Sequence, residues 1–356
     1  MKRLLKWIVL GLIVGLAAFY FWPEKTYKPY AVSADYKAQA DDYVVPAMPP
    51  DWSWGLYKNG EEPELRFGET GNRDAAKATI IFVPGYTATL DMYGEQFDML
   101  ARRGYHVMGL DMRGQGGSER HRPEFPEKLW VGDFENYGDD IRNWLSGMDL
   151  PQDRIVILAG SSFGGNTVIR AAGDAPLNID GLYLLAPAIE PNTGEYSFER
   201  AKSMLSRFIL IGRGKRYVLG QGDWKPESND LTTTSNCSSY AKRLHYRDVI
   251  FTREPEQRVG GATNKWFYEF LKSSEHMNNQ AYLSNIQIPV TVITAEIDDF
   301  VSNDVNAKAC ADYFPNCVEV VIPDTKHCLL QENDVVQMRL YDEFDALFER
   351  ITSSQY

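Results

Sequence analysis

A serine hydroxyl, an imidazole and a carboxylate can together transfer an acyl group, provided the fold brings them to one place. The hydroxyl is a weak nucleophile at neutral pH and needs a base within hydrogen-bond reach. The base needs an acid to fix its tautomer and to stabilise the imidazolium that forms. The stretch Gly160-Ser161-Ser162-Phe163-Gly164 has the pattern G-x-S-x-G with Ser162 at its centre. Glycines two residues either side of a serine on so tight a bend leave room that a Cβ would fill. Ser161 has Ala159 and Phe163 at the same offsets, so Ser162 is the candidate nucleophile. Of five histidines, His327 is the one that follows directly on an apolar, β-branched run, at 318–322, through Pro323-Asp324-Thr325-Lys326. His106 opens a strand, His121 follows a loop, and His245 and His276 fall in an irregular region; these four read as structural or exposed. Carboxylates gather after another such run, at 290–294, as Glu296, Asp298 and Asp299. Asp298 is preferred to Asp299 because it stands two residues after Glu296, in a Glu-x-Asp pattern; Asp324 reads as a turn residue.

Acyl transfer also needs backbone N–H groups aimed at the developing oxyanion, each about 2.7–4 kcal/mol of transition-state stabilisation. Phe163, next after the serine, should supply one. Tyr86, in Val83-Pro84-Gly85-Tyr86-Thr87 directly after an apolar run, should supply the other.

Those residues need a scaffold that places strand ends along one rim. The sequence alternates strand and helix patterns: strands at 64–70, 79–83, 105–110, 155–158 and 181–185, with helices at 93–103, 134–148 and after the serine. Such alternation implies an α/β fold with a mostly parallel sheet, helices on both faces and the active site at the carboxyl ends of the strands. The alternation stops at about residue 187 and resumes at about 288, which predicts an inserted cap with helical stretches such as 263–272. Strands at 290–294 and 318–322 and helices at 303–313 and 334–351 close the domain, taken as residues 51–356.

Ahead of it, Lys2, Arg3 and Lys6 accompany an uncharged run at 7–22 that, together with Leu4 and Leu5, would span about 28 Å as a helix, just enough for a bilayer's hydrocarbon core. Aromatics at 19–22 and Pro23 offer no small-residue cleavage site, so residues 1–23 are expected to be an uncleaved anchor, with a cleaved signal peptide as the alternative. The basic residues on the amino-terminal side point the domain outward, across the inner membrane of the cell. Residues 24–50 show no persistent period and are expected to form a loosely packed tether.

The net charge of −12 speaks against nucleic acid or another polyanion as partner. Four cysteines without Cys-x-x-Cys spacing give no support for zinc or any other metal, and no cofactor motif is present. Cys310 and Cys317 are near enough in sequence to bridge in an oxidising compartment, although buried free thiols are the commoner arrangement.

With these residues placed, the chain from about residue 64 resembles the α/β-hydrolases, and within them the branch of monoacylglycerol lipases and bacterial lysophospholipases. The resemblance rests on Pro84-Gly85-Tyr86, Asp111-Met112-Arg113-Gly114-Gln115-Gly116-Gly117-Ser118, the glycine-flanked Ser162, residues 295–301 and residues 327–332, with Arg258-Val259-Gly260-Gly261-Ala262-Thr263 and Trp266 in the cap pointing to lysophospholipases. It implies the triad Ser162, Asp298 and His327, an oxyanion hole from Tyr86 and Phe163, and a lipid ester as substrate. Asp111 and Arg113 read as braces of the turn beneath the site. Alternatives are a short-chain carboxylesterase, thioesterase or aminopeptidase of the same fold, or a non-catalytic binding protein on it.

Overall fold

The computed structural model describes residues 26–151 and 153–354, together with Trp7, Gly11, Gly15 and Glu24. The anchor expected at 1–23 therefore lies outside the described residues, those three positions apart. Among the described residues no helix is long and apolar enough to cross a membrane.

Eight strands form one sheet: β1 (Ser53–Tyr57), β2 (Leu65–Thr70), β3 (Thr79–Val83), β4 (His106–Leu110), β5 (Val156–Ser161), β6 (Gly181–Leu185), β7 (Val290–Ile297) and β8 (Cys317–Lys326), in the order β1-β2-β4-β3-β5-β6-β7-β8. From β4 to β8 every pairing is parallel; β2 runs antiparallel to both β4 and β1. β3, β4 and β6 are buried at every position, as strands covered on both faces must be, and their near-continuous apolar sequences follow from that. β1 was not expected: it is an exposed edge strand with little alternation, held by register with β2.

The helices are α1 (Ala34–Asp42), α2 (Gly94–Arg102), α3 (Glu135–Ser146), α4 (Phe163–Asp174), α5 (Phe198–Leu210), α6 (Ala241–Leu244), α7 (Tyr246–Arg253), α8 (Asn264–Met277), α9 (Gln280–Leu283), α10 (Asn303–Lys308) and α11 (Asp334–Ser354). α3 packs on α4, which lies over β3, β5 and β6, while α11 packs on β6 and β7. Helices α5 to α9 all fall between β6 and β7, where the alternation fails in the sequence. There α8 packs on both α4 and α5, and Ser273 links the two layers: its hydroxyl donates to Asn166 (2.9 Å) and accepts from Arg170 (3.2 Å).

The segment expected to lie loosely ahead of the domain is instead docked. Ser33 caps α1 by accepting from the Tyr36 amide (3.2 Å), and Tyr36 and Ala40, one turn apart, are buried with Leu231 and Val249 of the region between β6 and β7. Arg253 donates to the carbonyl oxygens of Ala40 (2.5 Å), Asp41 (3.2 Å) and Tyr43 (2.5 Å). Only two positions of α1 are buried, too narrow a stripe to register as a period in the sequence. All four cysteines are bridged, contrary to the expectation of free thiols: Cys310 to Cys317 and Cys237 to Cys328, with Cα separations of 5.2 and 5.0 Å.

Candidate active site

Ser162, Asp298 and His327 are each the first residue past the carboxyl end of a strand, β5, β7 and β8 respectively. Because these strands are parallel, their ends share one rim. There the three side chains meet. His327 Nε2 lies 2.8 Å from Ser162 Oγ, and His327 Nδ1 lies 2.7 Å from Asp298 Oδ2. Asp298 has no exposed side-chain surface, and its other oxygen accepts from the amides of Phe300 (2.8 Å) and Val301 (3.1 Å). With those bonds satisfied, the carboxylate is fixed in the orientation that faces the imidazole. Glu296 points elsewhere, accepting from the Asp324 amide (2.8 Å), and Asp299 is exposed. The Phe300 ring lies against the imidazole, centroids 4.9 Å apart.

Ser162 adopts φ 53° and ψ −115°, a left-handed conformation that costs a non-glycine residue about 1–3 kcal/mol. Its backbone is held there by three bonds: its amide donates to Leu185 (2.9 Å), and its carbonyl accepts from Ala188 (2.9 Å) and Asn166 (3.2 Å). A Cβ at Gly160 would collide with the Gly164 carbonyl, and one at Gly164 with the Val83 carbonyl, so the bend admits glycine at both flanks.

Phe163 opens α4, so its amide has no acceptor within the helix. The Pro84-Gly85-Tyr86 loop runs beside it; a Cβ built on Gly85 would stand 3.5 Å from the Ser162 Cβ. That loop is clamped by Gln115, which is fully buried. Its side-chain oxygen accepts from the Thr87 amide (2.8 Å) and its nitrogen donates to the Gly85 carbonyl (3.3 Å). Gln115 stood out in the sequence as part of a motif. Its clamp on the loop was not foreseen, because the contact spans 28 to 30 residues and depends on how two turns meet.

Asp111 and Arg113 do brace the turn, but with other partners than each other. Asp111 is fully buried, accepts from the amides of Leu90 and Gly117 (both 2.9 Å), and pairs with Arg66 (2.7 Å). Burial nevertheless pushes its carboxyl above the usual range. Arg113 pairs with Asp140 (2.6 Å), whose carboxyl is pushed up to about 6 by burial against the pull of the guanidinium. The remaining histidines stay out of the site. His106 bridges Thr79 (3.2 Å) and Glu69 (3.0 Å), His245 contacts the Thr233 carbonyl (2.9 Å), and His276 lies against Tyr282. Burial, then nearby Arg113, hold His121 down to about 4.

Ser162 and His327 open onto a cavity of about 490 Å³. Trp266, Phe267 and Phe270 form one aromatic cluster in its lining, which also includes Phe300, Arg247 and Glu227. The Tyr86 ring packs on Trp266 (5.2 Å), its hydroxyl faces Gln221 (3.3 Å), and burial raises its phenol so that it stays protonated. Cys237 and Cys328 also line the cavity, and their bridge joins the loop before α6 to the residue after His327. Among the described residues no cluster of His, Cys, Asp and Glu could hold a metal.

Residues 74–334 match the family described as serine aminopeptidase, S33. The chain belongs to this family. Among relatives of this S33 chain, the probable lysophospholipase L2 of Haemophilus influenzae is 24% identical over 264 residues, 74% of this chain and 81% of that one. Lysophospholipase L2 of Escherichia coli is 25% identical over 234 residues, covering 65% and 66% of the two chains. A soluble variant of monoglyceride lipase from Saccharomyces cerevisiae superposes with a TM-score of 0.66 at 15% identity, over 87% of this chain and 99% of that one, which shows a shared fold. The protein is thus an α/β-hydrolase of the S33 family, similar in sequence to lysophospholipases and in fold to a monoglyceride lipase.

Proposed function

We propose that this S33-family protein hydrolyses the carboxylic ester of a single-chain lipid, a lysophospholipid or a monoacylglycerol, while held at a membrane by residues 1–23. The observation that carries the chemistry is the chain of contacts from Ser162 through His327 to Asp298, at 2.8 and 2.7 Å, on the edge of the cavity. Ser162 Oγ attacks the ester carbonyl while His327 Nε2 takes its proton; Asp298 holds the imidazole in the tautomer with Nδ1 protonated and stabilises the imidazolium. The Tyr86 and Phe163 amides stabilise the oxyanion. His327 then protonates the leaving alcohol, and water, activated by the same imidazole, releases the fatty acid.

The aromatic cluster of Trp266, Phe267 and Phe270 supports an acyl chain as the group bound. The names of the lysophospholipase relatives agree with that choice. For location, the basic residues ahead of the 7–22 run and two disulfides, which persist in oxidising compartments, support an extracytoplasmic domain. Protease added to intact spheroplasts should remove the domain, and its survival there would reverse the orientation. The domain boundaries follow the same reading: anchor 1–23 and hydrolase 51–356 with the cap at about 187–288, joined by a segment at 24–50 that docks on the hydrolase through α1.

Replacing Ser162 with Ala should abolish both labelling by a fluorophosphonate probe and release of fatty acid from single-chain lipids. Labelling that persists would move the nucleophile elsewhere. The family's description keeps peptide substrates as the second reading. Faster turnover of an aminoacyl p-nitroanilide than of any lipid in the panel would favour it, and a steep preference for short p-nitrophenyl esters would favour a carboxylesterase.

A further inference from the structure

Among the described residues that line the cavity, Arg247 is the one permanent cation and Glu227 the one carboxylate, and ester cleavage needs neither. Arg247 sits in α7 and is tied through its Nε to Asp248 (3.1 Å), a buried carboxylate that also accepts from the Trp224 indole (3.2 Å) and the Glu227 amide (2.7 Å). That anchoring fixes the base of the guanidinium and leaves its outer nitrogens with long contacts only. Nη1 is 3.4 Å from Thr87 Oγ1 and Nη2 is 3.6 Å from a Glu227 oxygen. Thr87 follows Tyr86, so the open edge of the guanidinium stands beside the loop that carries one of the proposed oxyanion donors. Arg247 is the more enclosed of the two, with 28% of its side chain exposed against 37% for Glu227.

From this geometry we infer that Arg247 and Glu227 form a head-group subsite for a zwitterionic phosphodiester, a lysophospholipid whose head ends in an ammonium group. The inference rests on the ester-hydrolase reading of the site and narrows its substrate. A planar guanidinium held at one edge presents paired donors to phosphate oxygens, a geometry an ammonium cannot reproduce. The phosphate replaces the loose contact between Arg247 and Glu227, and the head-group ammonium then meets the released carboxylate. A zwitterionic head leaves the subsite's net charge unchanged: Arg247 already faces the carboxylates of Asp248 and Glu227, and the phosphate and the ammonium add one charge of each sign. A phosphomonoester head would instead set a second negative charge against Glu227, and a monoacylglycerol would leave the pair unused. Arg247, Ser162 and the cluster of Trp266, Phe267 and Phe270 line one cavity, and the inference requires that the three-carbon glycerol between phosphate and ester span the gap from guanidinium to hydroxyl. Hydrolysis adds water across the acyl C–O bond. The water oxygen ends in the fatty acid, and the glycerol oxygen takes a proton and leaves with the head group.

The test uses the full chain in detergent micelles and three lipids of one acyl chain: lysophosphatidylethanolamine, lysophosphatidic acid and monoacylglycerol. The native protein should favour the first. Arg247→Gln should lower the ratio of its kcat/KM to that for monoacylglycerol about tenfold, chiefly through KM. Arg247→Lys, which keeps the charge and loses the fork, should recover part of it. Glu227→Gln should lower the preference for the ethanolamine lipid over lysophosphatidic acid severalfold. Unchanged ratios in Arg247→Gln, or equal loss on all three lipids in both Arg247 variants, would overturn the subsite. A native protein that cleaves lysophospholipid and monoacylglycerol equally sinks this inference alone. One that labels with fluorophosphonate but cleaves no lipid sinks the single-chain-lipid reading as well.

Discussion

The sheet and the region inserted between β6 and β7 are built by different physics. In the sheet, β3, β4 and β6 are buried throughout, and position is set by backbone pairing, so Ser162, Asp298 and His327 are brought together by where strands end. The insertion is held by long-range side-chain ties: the Cys237–Cys328 bridge, Arg243 between Glu95 (2.6 Å) and Asp334 (2.6 Å), and Arg253 on the carbonyls of residues 40–43. The lesson is a division of labour. The candidate catalytic residues are placed by main chain and the insertion by cross-links, so on the proposed function damage to the first should appear in kcat and damage to the second in stability and substrate choice.

The sharpest way to break that division is at the sheet's rim. Asp298→Asn keeps the shape but favours the wrong imidazole tautomer, and should lower kcat about 10⁴-fold with little change in melting temperature. A comparable loss of stability in thermal melts would show that the aspartate also holds the loop together. On the insertion side, Cys237→Ser opens a link between residues 91 apart in sequence and should cost about 2–4 kcal/mol in denaturant unfolding. Activity per folded molecule should change far less than in Asp298→Asn. Gln115→Ala sits between the two regimes. It frees the Tyr86 loop without touching the triad and should lower kcat on the order of tenfold, with KM nearly constant, since its effect would fall on oxyanion stabilisation.

The smallest effect concerns acid. His121 titrates near 4 in the folded protein, below its usual 6.5, so between those values the unfolded chain binds more protons and stability falls as pH drops from about 6.5 towards 4. His121→Asn should flatten that part of the curve of melting temperature against pH. An unaltered slope would assign it to another buried histidine, such as His106, which burial also holds down.

The same contrast explains what could be read from sequence. Strand runs, the glycine-flanked serine and the placement of acid and base after later strands are local patterns, and the structure brings the residues they named into contact. The Cys237–Cys328 bridge, the Gln115 clamp, the Arg113–Asp140 pair and the docking of α1 join residues 27 to more than 200 positions apart. Local spacing carries no trace of such ties. β1 escaped for a different reason: its inward position at Gly55 is filled by the Phe67 ring from the neighbouring strand, so its own sequence shows no alternation.

The docking of α1 limits where this polypeptide can be cut. A shortened form beginning at residue 51, the natural choice for a soluble enzyme, would strip Tyr36 and Ala40 from Val249 and Leu231 and leave Arg253 without its carbonyl acceptors. α7, which carries Arg253, also carries Arg247. Engineers who trim only as far as residue 26 keep the buttress; those who trim further would be assaying a loosened pocket and could misjudge its preferred lipid.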